Sequence, residues 1–132
     1  MADWWQWSQK REKEALTFAV VGVGRFGTAV CRELINNGAD VLAADNSEKA
    51  IDELRQLEPS IEARVIDCTD EESMKESGIL EMNTVVVGIS KPIEASITTT
   101  LLAKDSEGTK VKRVIARATS NLHEKMLSLI HI

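Results

Sequence analysis

The chain is 132 residues long, enough for one domain with a hydrophobic core, and its 43% apolar and 28% charged residues are ordinary for a globular protein. A net charge of −5 argues against a nucleic-acid partner, and no apolar run approaches the roughly 20 residues needed to span a bilayer. The aromatic, polar stretch Met1–Trp7 is followed by no apolar leader, so the expected location is the cytoplasm.

Residues 1–16 stand apart from the rest. All three tryptophans, Trp4, Trp5 and Trp7, fall here, ahead of Lys10-Arg11-Glu12-Lys13-Glu14. The segment reads either as a short docking extension or as a frayed terminus packed on the domain. From Thr17 onward, residues 17–132 alternate apolar runs with helical patterns and form the expected domain. Strand one, Thr17–Val21, enters Gly22-Val23-Gly24-Arg25-Phe26-Gly27 directly. Helix one covers 25–36 with Phe26, Val30 and Leu34 on one face, and Asn37-Gly38 stops it. Strand two is 41–44. Ser47 caps helix two, whose apolar positions are Ala50, Ile51, Leu54 and Leu57, and Pro59 blocks its continuation. Strand three is 63–66. Thr69-Asp70-Glu71-Glu72 reads as a capping box for a short third helix that Gly78 ends. Strand four, 84–89, is nearly all β-branched, which suits burial on both faces. Ser90 and Pro92 open helix four, with Ile93, Ile97, Leu101 and Leu102 as its core stripe. Strand five is 111–116, and helix five runs from Ser120 with Leu122, Met126, Leu127 and Ile130 apolar. The alternation predicts an α/β fold: a Rossmann-like, doubly wound parallel sheet with helices on both faces. Its expected strand order is 3-2-1-4-5, with ligand in the crevice between strands one and four.

The Gly22-x-Gly24-x-x-Gly27 spacing matches a backbone that approaches a pyrophosphate. The first glycine permits the tight turn, the second admits phosphate oxygens, and the third lets helix pack on strand. Asp45 ends strand two, near the spacing expected for a ribose-binding acid. There it would repel a 2′-phosphate and favour NAD or an adenine nucleotide; otherwise Asp45-Asn46 merely starts a turn. Arg25, inside the loop, can bind a terminal phosphate in bidentate fashion, or be a solvated first-turn residue. Asp67 and Cys68 follow strand three, where a base or ribose would lie, although Asp67 reads equally as a plain loop acid. Ile89 and Ser90 end strand four opposite the glycines, and Ser90 also reads as a helix cap. Arg117 ends strand five, where it reaches either phosphate or a neighbouring acid. His123 reads as a surface helical residue. The two cysteines, Cys31 and Cys68, belong to no Cys-x-x-Cys pair, which predicts reduced, partly buried thiols and no metal site. The chain contains no tyrosine, so a Tyr-x-x-x-Lys hydride-transfer site is impossible. With no catalytic group in evidence, the chain is expected to be a sensor and not an enzyme.

Phe18-Ala-Val-Val-Gly-Val-Gly-Arg-Phe-Gly27 resembles the glycine loop of Ktr/Trk-type potassium-transport regulatory subunits, which carry the RCK domain, also called KTN or TrkA-N. Val41-Leu-Ala-Ala-Asp45, Val65-Ile-Asp-Cys-Thr69, Val85-Val-Val-Gly-Ile-Ser90, Ala95-Ser-Ile-Thr-Thr-Thr-Leu-Leu-Ala103 and Val114-Ile-Ala-Arg-Ala118 extend the likeness. The resemblance implies a cytoplasmic regulatory subunit on the inner face of a potassium-translocating membrane subunit. It implies homodimers, up to an octameric ring, whose shape responds to ATP, ADP or NAD(H). It assigns phosphate to Gly22, Gly24 and Gly27, ribose to Asp45, and the terminal phosphate to Arg25, across a dimer interface in one reading. The family pattern continues into a Gly-Ala-Asp turn and a sixth strand where this chain has His131-Ile132, which implies a domain truncated at its C-terminus. Two alternatives stay open: the cofactor domain of an NAD(H)-dependent dehydrogenase, and a redox-sensing NAD(H) module.

Overall fold

The structure, a computed structural model, describes residues 16–130. The expectations for residues 1–15, including the tryptophans, and for His131 and Ile132 lie outside the described residues. The elements in chain order are β1 (Thr17–Val21), α1 (Arg25–Asn36), β2 (Asp40–Asp45), α2 (Glu48–Leu57), β3 (Glu62–Val65) and α3 (Glu71–Ser77). A 3₁₀ turn (Ile79–Glu81), β4 (Thr84–Val87), α4 (Ile93–Asp105), β5 (Arg113–Ala116) and α5 (Asn121–Ile130) follow. All strand pairs are parallel, in the order β3-β2-β1-β4-β5. This is the doubly wound arrangement expected from the alternation.

The pleat sorts side chains into two cores. Val20, Ala43 and Val86 face α1 and α2, where Cys31, Ile51 and Leu54 close on them. Ala19, Val21, Ala44, Val85 and Val87 face α3 and α4, with Met74, Ile79 and Ala103. Every residue of β4 is buried, because helices cover both faces at the sheet centre. Phe26, Val30 and Leu34 pack against the α1 side as their spacing predicts.

Several local expectations are corrected. β4 stops at Val87, so Ile89 and Ser90 lie in the loop beyond it. β5 begins at Arg113 and not at 111, because the N–H groups of Lys110 and Lys112 bond the carbonyls of Leu80 and Asn83 instead of the β4 ladder. The cap of α3 is Asp70, whose carboxylate accepts from Ser73 N–H; Thr69 turns back to Asp67. Ser90 does not cap α4, which starts after Pro92 without a side-chain cap bond.

The fully buried face of α4 is Ser96, Thr99, Thr100 and Ala103; of the expected aliphatic stripe, Leu102 packs partly buried against the core while Leu101 is 40% exposed. One tertiary partner and one bond back along the helix satisfy the threonine hydroxyls. Thr99 donates to the Cys68 carbonyl (3.0 Å) and Thr100 to the Ser96 carbonyl (2.8 Å). His123 is not on the surface: it is fully buried between α5 and α4. Thr119 N–H donates to its Nδ1 (3.1 Å), leaving the ring proton on Nε2, 3.0 Å from Ser96 Oγ. On α5, Leu127 is buried while Leu122 and Met126 are exposed. Both cysteines are more deeply buried than expected, at 0% and 5% exposure.

Candidate functional site

The site is built by the ends of β1, β2 and β4. Gly22 N–H bonds the Ala44 carbonyl (2.8 Å) and Gly88 N–H bonds the Val21 carbonyl (2.7 Å), so the three strands stay in register to the same level before they part. The chain leaving β1 turns at Gly22, where φ is +92°. A Cβ at Gly27 would collide with the Gly22 carbonyl, which is why α1 can lie so close beneath the turn. Gly24 is different: a Cβ there would meet no protein atom within 4 Å. The protein's own packing does not demand glycine at that position, while an approaching phosphate would.

Helix α1 begins at Arg25 with no side-chain cap bond and no acidic residue in its first turn. The first N–H groups of a helix have no intrahelical acceptor and carry partial positive charge. An anion is the natural partner for such an end. Arg25 adds a cation: it is exposed, and no acid pairs with it among the described residues. Asp45 is half-buried across the loop. Its Oδ2 accepts Val23 N–H and its Oδ1 accepts Ser47 N–H, both at 2.9 Å.

A crevice of about 250 Å³ opens at this strand end. Eight of the expected residues line it: Gly22, Gly24, Asp45, Asn46, Asp67, Cys68, Ile89 and Ser90. Val23, Arg25, Phe26, Gly27 and Arg117 do not line this crevice. Val23 is buried in the α1-side core, and Gly27 is buried under the turn. Arg117 makes no salt bridge among the described residues; its guanidinium stacks on the Phe26 ring, 5.0 Å from the centroid, beside the glycine loop. Sequence reasoning missed Thr69, Gly88, Lys91, Pro92 and Ala95, which also line the crevice. Their signal was positional, since each follows the end of β3 or β4. Larger depressions, of about 530 and 590 Å³, lie at the opposite ends of the strands, among residues such as Asp40, Glu62, Thr17 and Lys110. Open parallel sheets bind ligands at the carboxyl ends of their strands, which favours the smaller crevice.

The electrostatics suit binding more than covalent chemistry. Hydrogen bonds from the Thr69 hydroxyl and N–H hold the Asp67 carboxyl below its usual range, so it stays ionised and tied to its own turn. Burial, aided by the charges of Asp45 and Asp67, pushes the Cys68 thiol up to about 12. A neutral, buried thiol is a poor nucleophile. No three His, Cys, Asp or Glu side chains converge as metal ligands among the described residues. The uncapped helix end and the open space at Gly24 leave room for an anion, and the carboxylate of Asp45 stands beside them.

The comparisons with known proteins agree with this fold. The TrkA-N domain profile matches residues 18–132. Ktr system potassium uptake protein C of Bacillus subtilis (strain 168) is 37% identical over 113 residues, covering 86% of this chain and 49% of the relative. Ktr system potassium uptake protein A of Vibrio alginolyticus is also 37% identical over 113 residues, with the same 86% and 49% coverage. The chain thus spans about half the length of the curated relatives it matches. Among solved structures, the TrkA-N domain of the inner membrane protein ybaL from Escherichia coli superposes with a TM-score of 0.73 at 21% identity, over 86% of this chain and 81% of that one. With the profile spanning the glycine loop, the crevice and every helix, the chain belongs to the TrkA-N domain family.

Proposed function

We propose that this chain is the nucleotide-binding part of a cytoplasmic regulatory subunit of potassium uptake, that it binds ATP, ADP or NAD(H) in the β1–β4 crevice, and that it breaks no bond. The observation that carries the reading is the uncapped, acid-free start of α1 under Gly22–Gly27, faced by Asp45. In this reading residues 17–132 are the nucleotide-binding unit, and residues 1–16 are a separate extension. Gly24 and the first N–H groups of α1 would hold phosphate. Asp45 would accept from the ribose hydroxyls and reject a 2′-phosphate. Arg25 would neutralise a terminal phosphate, from its own or a neighbouring protomer. Asn46, Asp67, Cys68, Ile89 and Ser90 would line the base and ribose, and Arg117 would stand at the rim on Phe26.

Regulation would follow from differential affinity. A nucleotide that binds one arrangement of the subunits better shifts the population toward it, and the membrane partner reads that shift. The Ktr names of the relatives support a potassium-translocating membrane subunit as that partner. The outer face of α5 supports self-association into a homodimer or ring: Leu122, Met126 and Leu129 recur at helical spacing and are exposed by 65%, 39% and 69%. No described helix is long and apolar enough to cross a membrane, so the contact with the bilayer would run through the partner.

Calorimetric titration with ATP, ADP, NAD, NADH and NADPH tests the reading. Micromolar binding of adenine nucleotides, with NADPH rejected, supports it. Binding confined to NAD and NADH removes ATP and ADP from the reading and shifts its weight toward a dehydrogenase cofactor domain or a redox-sensing module. Absence of binding to all five refutes it.

A further inference from the structure

We infer that Thr28, a residue outside the crevice, sets nucleotide affinity together with Asp45 by clamping Val23, the single residue between the first two glycines, from both sides. The inference rests on the nucleotide-binding reading above. Val23 is held at three points. Its N–H donates to Asp45 Oδ2 (2.9 Å), its carbonyl accepts from the Thr28 hydroxyl (3.0 Å), and its side chain is 3% exposed in the α1-side core. Its neighbours are Gly22 and Gly24, the two residues with the most backbone freedom to lose. Without the two polar contacts, Val23 keeps only its apolar anchor between two glycines. With them, the N–H groups that follow Gly24 are aimed before any ligand arrives.

Asp45 therefore has work to do without a ribose. Its Oδ1 also holds Ser47 N–H (2.9 Å) and its carbonyl accepts Ile66 N–H (3.0 Å), so one residue ties the glycine loop to α2 and to β3. Each carboxylate oxygen has a second acceptor site, which leaves room for sugar hydroxyls on the same group. Thr28 has no such second task at the ligand. It is half-buried in the first turn of α1 and lines no part of the crevice. A threonine hydroxyl bonding back along its own helix is common and slightly unfavourable. Here the accepting carbonyl lies five residues back, on the loop itself, so the bond spans Gly24. Both are positioning residues: they fix the loop, and the loop meets the phosphates. Preorganisation of this kind raises affinity by removing the ordering penalty of binding.

The two roles of Asp45 separate with a sugar that lacks its hydroxyls. The full chain is titrated with ATP and with 2′,3′-dideoxyATP, as wild type and as Thr28→Val, Thr28→Ser and Asp45→Asn. Thr28→Val is expected to weaken both nucleotides by the same factor, roughly five- to tenfold, the size of one net hydrogen bond. Thr28→Ser, which keeps the hydroxyl, restores both. Asp45→Asn weakens 2′,3′-dideoxyATP as well as ATP. If Asp45→Asn leaves dideoxyATP unchanged, Asp45 acts on ribose alone and the clamp is refuted; if Thr28→Val binds like wild type, Thr28 has no part in it. Amide hydrogen exchange on the nucleotide-free wild type gives a check that needs no variant. Val23 N–H is expected to be protected like the β1 amides, and exchange as fast as that of Gly24 overturns the clamp. A wild type that binds neither nucleotide overturns the binding reading and the role of Thr28 with it. Wild-type binding with unaffected variants overturns the clamp alone.

Discussion

Two glycines three residues apart in the same turn are glycine for different reasons, and alanine separates them. At Gly27 a Cβ would collide with the Gly22 carbonyl oxygen and stand 2.9 Å from its carbon. Neither side can yield cheaply. Gly22 N–H is bonded to Ala44, its φ is +92°, and its own α-carbon faces the Ile89 backbone, where a Cβ would come within 2.8 Å. Overpacking of this kind costs about 3 kcal/mol when the clash is backbone on backbone. Replacing a helical glycine by alanine returns about 1 kcal/mol. Gly27→Ala is therefore expected to lose about 2 kcal/mol, a fall of about 7 °C in thermal midpoint for a chain of this size. Gly24 has a φ of −71° and no atom within 4 Å of the place an alanine methyl would take, so Gly24→Ala should lose no more than the N-cap preference for glycine over alanine, about 1 kcal/mol. Its affinity for ATP and NAD should nevertheless fall at least about tenfold, because the methyl stands where phosphate oxygens approach. Urea unfolding without nucleotide, followed by calorimetry on the folded variants, reads both. Wild-type stability for Gly27→Ala would refute the close approach of α1 to the turn. Wild-type affinity for Gly24→Ala would refute the phosphate site.

Arg25→Ala should weaken ATP more than NAD, because only ATP offers a γ-phosphate to the guanidinium; equal losses in a titration would remove that role. His123→Ala leaves Ser96 Oγ without its buried partner and opens a cavity between α4 and α5, so the urea midpoint should report a loss of about 3 kcal/mol. Burial pushes both thiols from 9.0 up to about 12, so the folded state favours their neutral forms. That stability is complete below pH 9 and is lost as pH rises toward 12, at up to about 1.4 kcal/mol per pH unit for each thiol. Urea unfolding between pH 7 and pH 10 should therefore show a decline above pH 9 that the Cys31→Ala/Cys68→Ala double variant lacks.

The fold is legible because its signals are local. An apolar run, a glycine turn and an amphipathic helix recur along the chain, and parallel order follows from their alternation. The errors cluster where a tertiary partner outweighs a local preference. Ile93, Ile97, Leu101 and Leu102 look like the core stripe of α4, yet the helix buries Ser96, Thr99 and Thr100. Thr99 and Ser96 are tolerated because the Cys68 carbonyl and the His123 ring stand opposite them, partners that no helical window shows, while Thr100 bonds back to the Ser96 carbonyl one turn earlier on α4. His123 looks like a surface residue for the same reason. Thr28 attracts no notice, because a threonine in the first turn of a helix carries no signal until the loop carbonyl is placed beside it.

The chain also contains its own control for the proposed binding site. α1, α2 and α3 start at the same edge of the sheet, each after a strand end; α4 starts there too, also without a side-chain cap bond but with Glu94 in its first turn. α2 is capped by the Ser47 hydroxyl on Ala50 N–H and has Glu48 in its first turn. α3 is capped by the Asp70 carboxylate on Ser73 N–H and has Glu71 and Glu72. Both ends obey the ordinary rule that orphan N–H groups find an oxygen and that acids sit near the positive end of the dipole. α1 breaks it in every respect: glycine in place of a capping side chain, no acid, and Arg25 as its first residue. A like charge and unsatisfied donors at one helix end are unfavourable for the isolated chain, by an amount each of the other two helices avoids. Such a departure persists where an anion relieves it. The same end lies beside Asp45, whose charge would make it useless for phosphate if its oxygens pointed inward; they are turned instead to Val23 and Ser47 N–H. The carboxylate can therefore border a phosphate site without occupying it.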